Sequence, residues 1–201
     1  MTTWNIKDHV VEYDDDAHEY IVDGMIVPSV TQLIHMKFPN KYRGVSQEVL
    51  DHAAELGTML HLTIEMIEKY GDVPHIPEEV SREITNYRGL KKVHGWEVVA
   101  METPVLIPYE GEVIAAGRFD ILANMNAVQG LIDLKRTATV DREYLAYQLT
   151  LYAMGYRYSY GTHVNFLKCL HLREDTRKLI DIPFIYKEAV ELLKEAKERG
   201  I

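Results

Sequence analysis

The stretch Gly117-Arg118-Phe119-Asp120-Ile121-Leu122-Ala123-Asn124-Met125-Asn126-Ala127-Val128-Gln129-Gly130-Leu131-Ile132-Asp133-Leu134-Lys135 decides how this chain is read. Two apolar runs flank a short polar turn around Asn124 to Val128, a pattern that predicts two strands. Each run carries one aspartate, Asp120 between Phe119 and Ile121 and Asp133 between Ile132 and Leu134. A carboxylate buried in a strand costs several kcal/mol unless something cationic pairs with it. Adjacent antiparallel strands bring the two carboxylates close together, where they repel unless a divalent cation neutralises both. Mg²⁺ favours one or two carboxylates, some waters and a phosphate oxygen. Lys135 lies two residues after Asp133 on the same strand face, so its ammonium is available to stabilise charge on a phosphate or to position a water. Taken alone, Asp133-Leu134-Lys135 is a common triplet and reads better as a same-face ion pair on an exposed edge strand.

The neighbouring segments extend the pair of strands into a fold. Trp96 to Ile107 reads as a strand and Tyr109-Glu110-Gly111-Glu112 as the turn into the next, which makes a three-strand meander. After it, Asp141 starts a helix to about Tyr160 with Leu145, Leu149, Tyr152 and Tyr156 along one stripe. Gln148 and Tyr152, one turn apart on that helix, are candidates to hold a phosphate or a water near Lys135; the alternative for Tyr152 is core packing. Arg136 and Arg142 read as contacts to backbone phosphates or as solvated charges.

Before the meander, Ser46 begins a long helix to about Tyr70, closed by Gly71, and a second helix spans Pro77 to His94 with Gly95 past its end. Gly57 interrupts the first helix, so either the helix breaks there or something approaches its backbone. His61 and Glu65, four residues apart, share a helix face and are candidate ligands for one metal. The alternatives are a hydrogen-bonded histidine and a solvated glutamate. The N-terminus reads as short strands at Val10 to Tyr13, Tyr20 to Val22 and Met25 to Val27, the last two joined by the hairpin signal Asp23-Gly24. Ser29 caps a short helix carrying Val30, Leu33 and Ile34, and Lys37 to Gly44 is irregular and basic. His163 to Leu172 and Leu179 to Phe184 read as two more strands, and Tyr186 to Arg199 as a charged amphipathic helix. The expected fold class is α/β of the α+β kind, in one domain over residues 1–201. Within it, 1–44 form the N-terminal hairpin and short helix, 45–185 the core and 186–201 the C-terminal helix.

Composition bounds the functions available. With 201 residues, 47% hydrophobic and 26% charged, the chain is ordinary for a globular protein. Cys169, the one cysteine, sits among Phe166, Leu167 and Leu170 and reads as a buried structural thiol. No apolar run approaches the roughly 20 residues that span a bilayer, and the charged start has no signal-peptide core, so a cytoplasmic protein is expected. The formal charge of -9 argues against holding nucleic acid by net charge alone. There is no Gly-x-x-x-x-Gly-Lys-Ser/Thr loop, no Gly-x-Ser-x-Gly elbow and no cysteine-rich zinc pattern.

Four segments in order carry a resemblance: Gly57-Thr58-Met59-Leu60-His61 with Glu65, then Gly117-Arg118-Phe119-Asp120, then Asp133-Leu134-Lys135, then Gln148-x-x-x-Tyr152. Together they resemble the PD-(D/E)XK nuclease superfamily in its RecB-like and phage-exonuclease branch, over about residues 45 to 160. His18 to Gly24 followed by Pro28-Ser29-Val30-Thr31 is similar to phage-encoded members. The resemblance implies a restriction-endonuclease-like core, a central mixed sheet with a three-strand antiparallel meander flanked by helices. It implies Asp120, Asp133 and His61 as metal ligands, with the Leu134 backbone carbonyl as an addition, and Lys135 as the catalytic lysine. Glu65, Gln148, Tyr152 and Arg136 then support the site or touch substrate. Phe119 stands where the superfamily has proline.

The expected activity is that of a Mg²⁺- or Mn²⁺-dependent deoxyribonuclease, an exonuclease resecting double-stranded DNA ends for recombination. The resemblance also implies a single-strand annealing protein as partner and a homo-oligomer encircling DNA. The alternatives are a catalytically silent nucleic-acid-binding module on the same fold and a metal-dependent hydrolase of a small phosphoester.

Overall fold

The structure, a computed structural model, describes residues 1–41, 44–71 and 73–200. Tyr42 and Arg43 of the basic segment lie outside the described residues. The N-terminal strands β1 (Thr2–Ile6), β2 (His9–Asp14), β3 (Glu19–Val22) and β4 (Met25–Val27) form an antiparallel sheet in chain order. The strand Thr2–Ile6 was not anticipated from the sequence; it pairs with β2 through a turn in which Lys7 takes a positive φ. Ile6, Val11, Tyr20 and Val22 face inward onto Leu106 and Ala116 and fix this sheet to the main body.

Helix α1 (Val30–Lys37) begins at Ser29 with a reciprocal capping box: the Gln32 backbone N–H donates to the Ser29 hydroxyl, and the Gln32 side chain accepts from the Ser29 backbone N–H. Helix α2 (Gln47–Tyr70) runs through Gly57 without a break, and a Cβ at Gly57 would meet nothing within 4 Å. The glycine therefore marks neither a break nor a close approach. A single 3-10 turn at Glu78–Val80 leads into α3 (Ser81–His94), which ends at Gly95 in the left-handed conformation.

The main sheet contains β5 (Glu97–Tyr109), β6 (Glu112–Met125), β7 (Val128–Lys135), β8 (Phe166–Arg173) and β9 (Thr176–Ile182), in that order. The expected meander is β5–β6–β7. The β6–β7 turn is tighter than expected, Asn126 and Ala127 alone, both at positive φ. Helix α4 (Arg142–Tyr160), capped by Asp141, connects β7 to β8, and those two strands are parallel; the other pairs are antiparallel. The C-terminal helix α5 spans Tyr186–Glu198.

Among the described residues this is a mixed α+β structure of five α-helices, a four-strand antiparallel sheet and a five-strand mixed sheet. The five-strand sheet is covered on both faces. On one, α1, α4 and α5 pack Leu33, Leu145, Leu149 and Leu193 against Val105, Leu131 and Leu167. On the other, α2 and α3 pack Leu60, Ile64, Ile84 and Tyr87 against Ile121, Ile132 and Leu170. Each such aliphatic residue contributes roughly 2 kcal/mol by leaving water. The burial of Leu60 and Ile64 anchors only the second half of α2, whose first ten residues bury nothing fully. No helix among the described residues is long and apolar enough to cross a membrane.

Candidate functional site

The site forms where β7 parts from β6. Their pairing runs from Met125↔Val128 to Ile121↔Ile132, and the next rung would set Asp120 opposite Asp133. At that rung the ladder bond is replaced: the Leu134 backbone N–H donates to Asp120 Oδ2 at 2.7 Å. On the other side of β6, Met101↔Ile121 and Thr103↔Phe119 bracket Glu102 opposite Asp120. Three carboxylates, Glu102, Asp120 and Asp133, thus stand side by side on three adjacent strands.

Asp133 is 1% exposed, and its Oδ2 lies 2.6 Å from Lys135 Nζ. That contact is an ion pair without hydrogen-bond alignment, and Oδ1 has no hydrogen-bond partner. Since β7 is the middle strand of five, the alternative of an ion pair on an exposed edge strand is corrected: the pair is interior. Burial raises the Asp133 pKa above the ordinary carboxylate range, against the pull of Lys135. Burial works against charge on Lys135 too, but Asp133 and Asp120 outweigh it and keep the ammonium protonated. Cys169, beside Asp133 on β8, is buried, and loss of solvent pushes its thiol up to about 12, as befits a structural thiol.

His61 reaches this rung from α2, carried by the packing of Leu60 and Ile64 on either side of it. Its Nε2 is 3.1 Å from the Leu134 carbonyl and 3.8 Å from Asp120 Oδ2, while its Nδ1 is 3.6 Å from Glu102 Oε1. Burial, the largest influence, opposes charge on this ring, yet Asp120 and Glu102 together hold its pKa up at about 9. Ligand atoms of His61, Glu102 and Asp120 lie within 4.8 Å of one another, a spacing at which they could close on one cation.

Glu102 was not anticipated from the sequence. It has φ 46°, a left-handed conformation inside a strand, and Thr103 Oγ1 donates to the Met101 carbonyl across it. For a residue other than glycine this costs about 1–2 kcal/mol. Its second oxygen is ion-paired with Arg118 Nε at 2.9 Å, and the Arg118 guanidinium carbon is 5.6 Å from the centre of the Tyr13 ring. Counting back along the meander from the Glu110-Gly111 turn would have put Glu102 within one position of Asp120.

The other expected residues divide. Neither Glu65, half-buried, nor the expected ligand Asp133 is among the three residues whose ligand atoms converge, and Glu102 takes the place expected of Glu65 beside His61. Gln148 is 9% exposed, with Oε1 unpartnered, and lines the same cleft as Lys135. Tyr152 is buried behind it, its phenol kept protonated by loss of solvent, against the rung through Gly117. A Cβ at Gly117 would sit 2.7 Å from Tyr152 Cε1 and 3.1 Å from Val30 Cγ2, so only glycine lets α4 and α1 approach β6 this closely. Arg136 lines the cleft, but its Nε is paired at 2.8 Å with Glu83, a buried carboxylate of α3. Arg142 donates to the Asp181 carbonyl at 2.8 Å. The cleft, about 1180 Å³, runs between the unburied first half of α2 and the segment 136–141, with Lys135 on its wall.

No protein-family model and no curated protein matches the sequence. Among solved structures, the crystal structure of SSO0001 is similar, with 19% identity and a TM-score of 0.48 over 86% of this chain and 76% of that one. That likeness is too distant to bear on what the site does.

Proposed function

We propose that this chain is a divalent-metal-dependent deoxyribonuclease of the PD-(D/E)XK kind, with a restriction-endonuclease-like core, acting as an exonuclease on duplex DNA ends. The observation that supports this reading best is the rung itself: His61 Nε2 and the Leu134 backbone lie against Asp120, and Asp133 follows on β7, paired with Lys135 on the wall of a cleft. The donors fit the implied cation: carboxylate and carbonyl oxygens with one imidazole nitrogen suit Mg²⁺ or Mn²⁺, and the partnerless Asp133 Oδ1 is a buried acceptor that needs a positive charge.

Asp120, Asp133, His61 Nε2 and the Leu134 carbonyl would hold the cation. When bound, it polarises the scissile phosphate and acidifies a water. Lys135, steered by Asp133, presents its ammonium where negative charge develops on the phosphoryl oxygens. Gln148 lines the same cleft with a buried, unpartnered amide oxygen, which a turn of the side chain would bring round to accept a hydrogen bond from the attacking water and so orient it. The net charge of -9 leaves affinity to local features such as the cleft wall.

The test is incubation with end-labelled linear duplex and with closed circular duplex, each in Mg²⁺ or Mn²⁺ and in EDTA. Cation-dependent loss of the linear form alone is the expected result. Cutting of circles would make it an endonuclease, and no loss of either would leave a binding module or a hydrolase of other phosphoesters.

A further inference from the structure

We infer that Glu102 is the positioning residue for His61, holding its Nδ1–H so that Nε2 is the nitrogen turned to the cation, and that Glu102 is not itself a ligand. This rests on the proposed cation site and assigns a role within it. The two ring nitrogens of His61 face different partners. Nε2 faces Asp120 Oδ2 and the Leu134 carbonyl, both donors of the proposed site; Nδ1 faces Glu102 Oε1 alone. A histidine that binds a metal through one nitrogen commonly donates its other N–H to a carboxylate, which fixes the tautomer and the ring orientation.

Glu102 is itself held for that task. Its other oxygen is taken by Arg118, which in turn lies against Tyr13 of the N-terminal sheet. Its backbone is kept at φ 46° within an otherwise extended strand, a strain that sets its carboxylate beside His61 on the rung of Asp120. The chain of contacts Tyr13–Arg118–Glu102–His61 therefore ties the N-terminal sheet to the orientation of one ligand. Glu102 faces the ring nitrogen turned away from Asp120 and the Leu134 carbonyl, which sets it outside the proposed ligand set.

The test measures Mg²⁺ affinity by calorimetry and the His61 tautomer by ¹⁵N NMR in the Mg²⁺-loaded protein. It compares wild type with Glu102→Gln, Glu102→Ala and Asp120→Asn. Gln keeps an oxygen that can accept from Nδ1–H, so Glu102→Gln is expected to keep the Nδ1–H tautomer and most of the affinity. Glu102→Ala is expected to lose the defined tautomer and roughly ten- to a hundredfold in affinity, the usual effect of removing such an outer partner. Asp120→Asn should lose more affinity than either. If Glu102→Gln weakens Mg²⁺ as much as Asp120→Asn does, Glu102 is a ligand and the inference fails. It also fails if Glu102→Ala leaves affinity and tautomer unchanged. If wild type binds no Mg²⁺ at all, the proposed function falls instead, and this assignment with it.

Discussion

Replacing Lys135 by methionine removes the cationic partner of a carboxylate that is 1% exposed while keeping most of the side-chain volume. The metal-free protein then has two options for Asp133: bury an unpaired charge, or take up a proton. Breaking a buried pair from one side costs about 3–5 kcal/mol. Protonation caps the cost, because holding neutral a carboxylate of ordinary pKa about 3.9 at pH 7 takes about 4 kcal/mol. The sign follows from linkage. The folded variant binds a proton that the unfolded chain has released, so its stability falls as pH rises above about 4, by about 1.4 kcal/mol per unit. Asp133 of the wild type already has its pKa raised to about 6, so the two proteins share this slope below about pH 6. Lys135→Met is therefore expected to lose up to about 4 kcal/mol relative to wild type at pH 7, and about 1.4 kcal/mol less than that at pH 5. Urea unfolding of both proteins in EDTA at pH 5, 6 and 7 measures it. Asp133→Asn is expected to cost less, since Lys135 is 25% exposed and can turn to water. A loss that is the same at pH 5 and pH 7, or below about 1 kcal/mol at both, would refute the reasoning.

Two further outcomes follow from the same site. Gly117→Ala drives a methyl to 2.7 Å from Tyr152 Cε1, so it should cost about 1–3 kcal/mol of stability by urea unfolding and lower cleavage by shifting α4; unchanged stability would mean the ring moves freely. His61 has its folded pKa raised to about 9, so without metal its contribution is complete below about pH 6.5 and is lost as pH rises through about 9. The Tm advantage of wild type over His61→Gln in EDTA should shrink over that window, and a constant difference would contradict the assignment.

How much of this was legible in the sequence depends on how far apart the partners lie. Asp120, Asp133 and Lys135 could be read because two aspartates in apolar runs thirteen residues apart already imply adjacent strands. The fold order from β5 onward was legible for the same reason, as turn residues and helical periodicity are local signals. Glu102 was hidden because a glutamate between Met101 and Thr103 looks like any solvated strand residue; only the β5–β6 register and its left-handed backbone bring it to His61. Glu65 shows the opposite failure. Its spacing from His61 was right for a helix face, but the sheet supplied a different carboxylate from across the core. Arg136 read as a phosphate contact or a solvated charge because nothing local reveals Glu83, a residue of α3 that is 2% exposed and answers to it. The edge-strand reading of Asp133 and Lys135 failed because strand position in a sheet is a tertiary property, set here by β8 pairing in parallel on the far side of β7.

The central claim is that this rung of carboxylates with Lys135 cleaves DNA with the help of a divalent cation. The most direct measurement is the rate of loss of end-labelled linear duplex in Mg²⁺ by wild type and Asp120→Asn, both first shown to be folded. Asparagine keeps an oxygen to accept from the Leu134 N–H, so the fold should hold while the charge is lost. The account predicts cleavage by wild type that EDTA abolishes, and none by Asp120→Asn. Cleavage by the variant at near wild-type rate, or by wild type in EDTA, would contradict it.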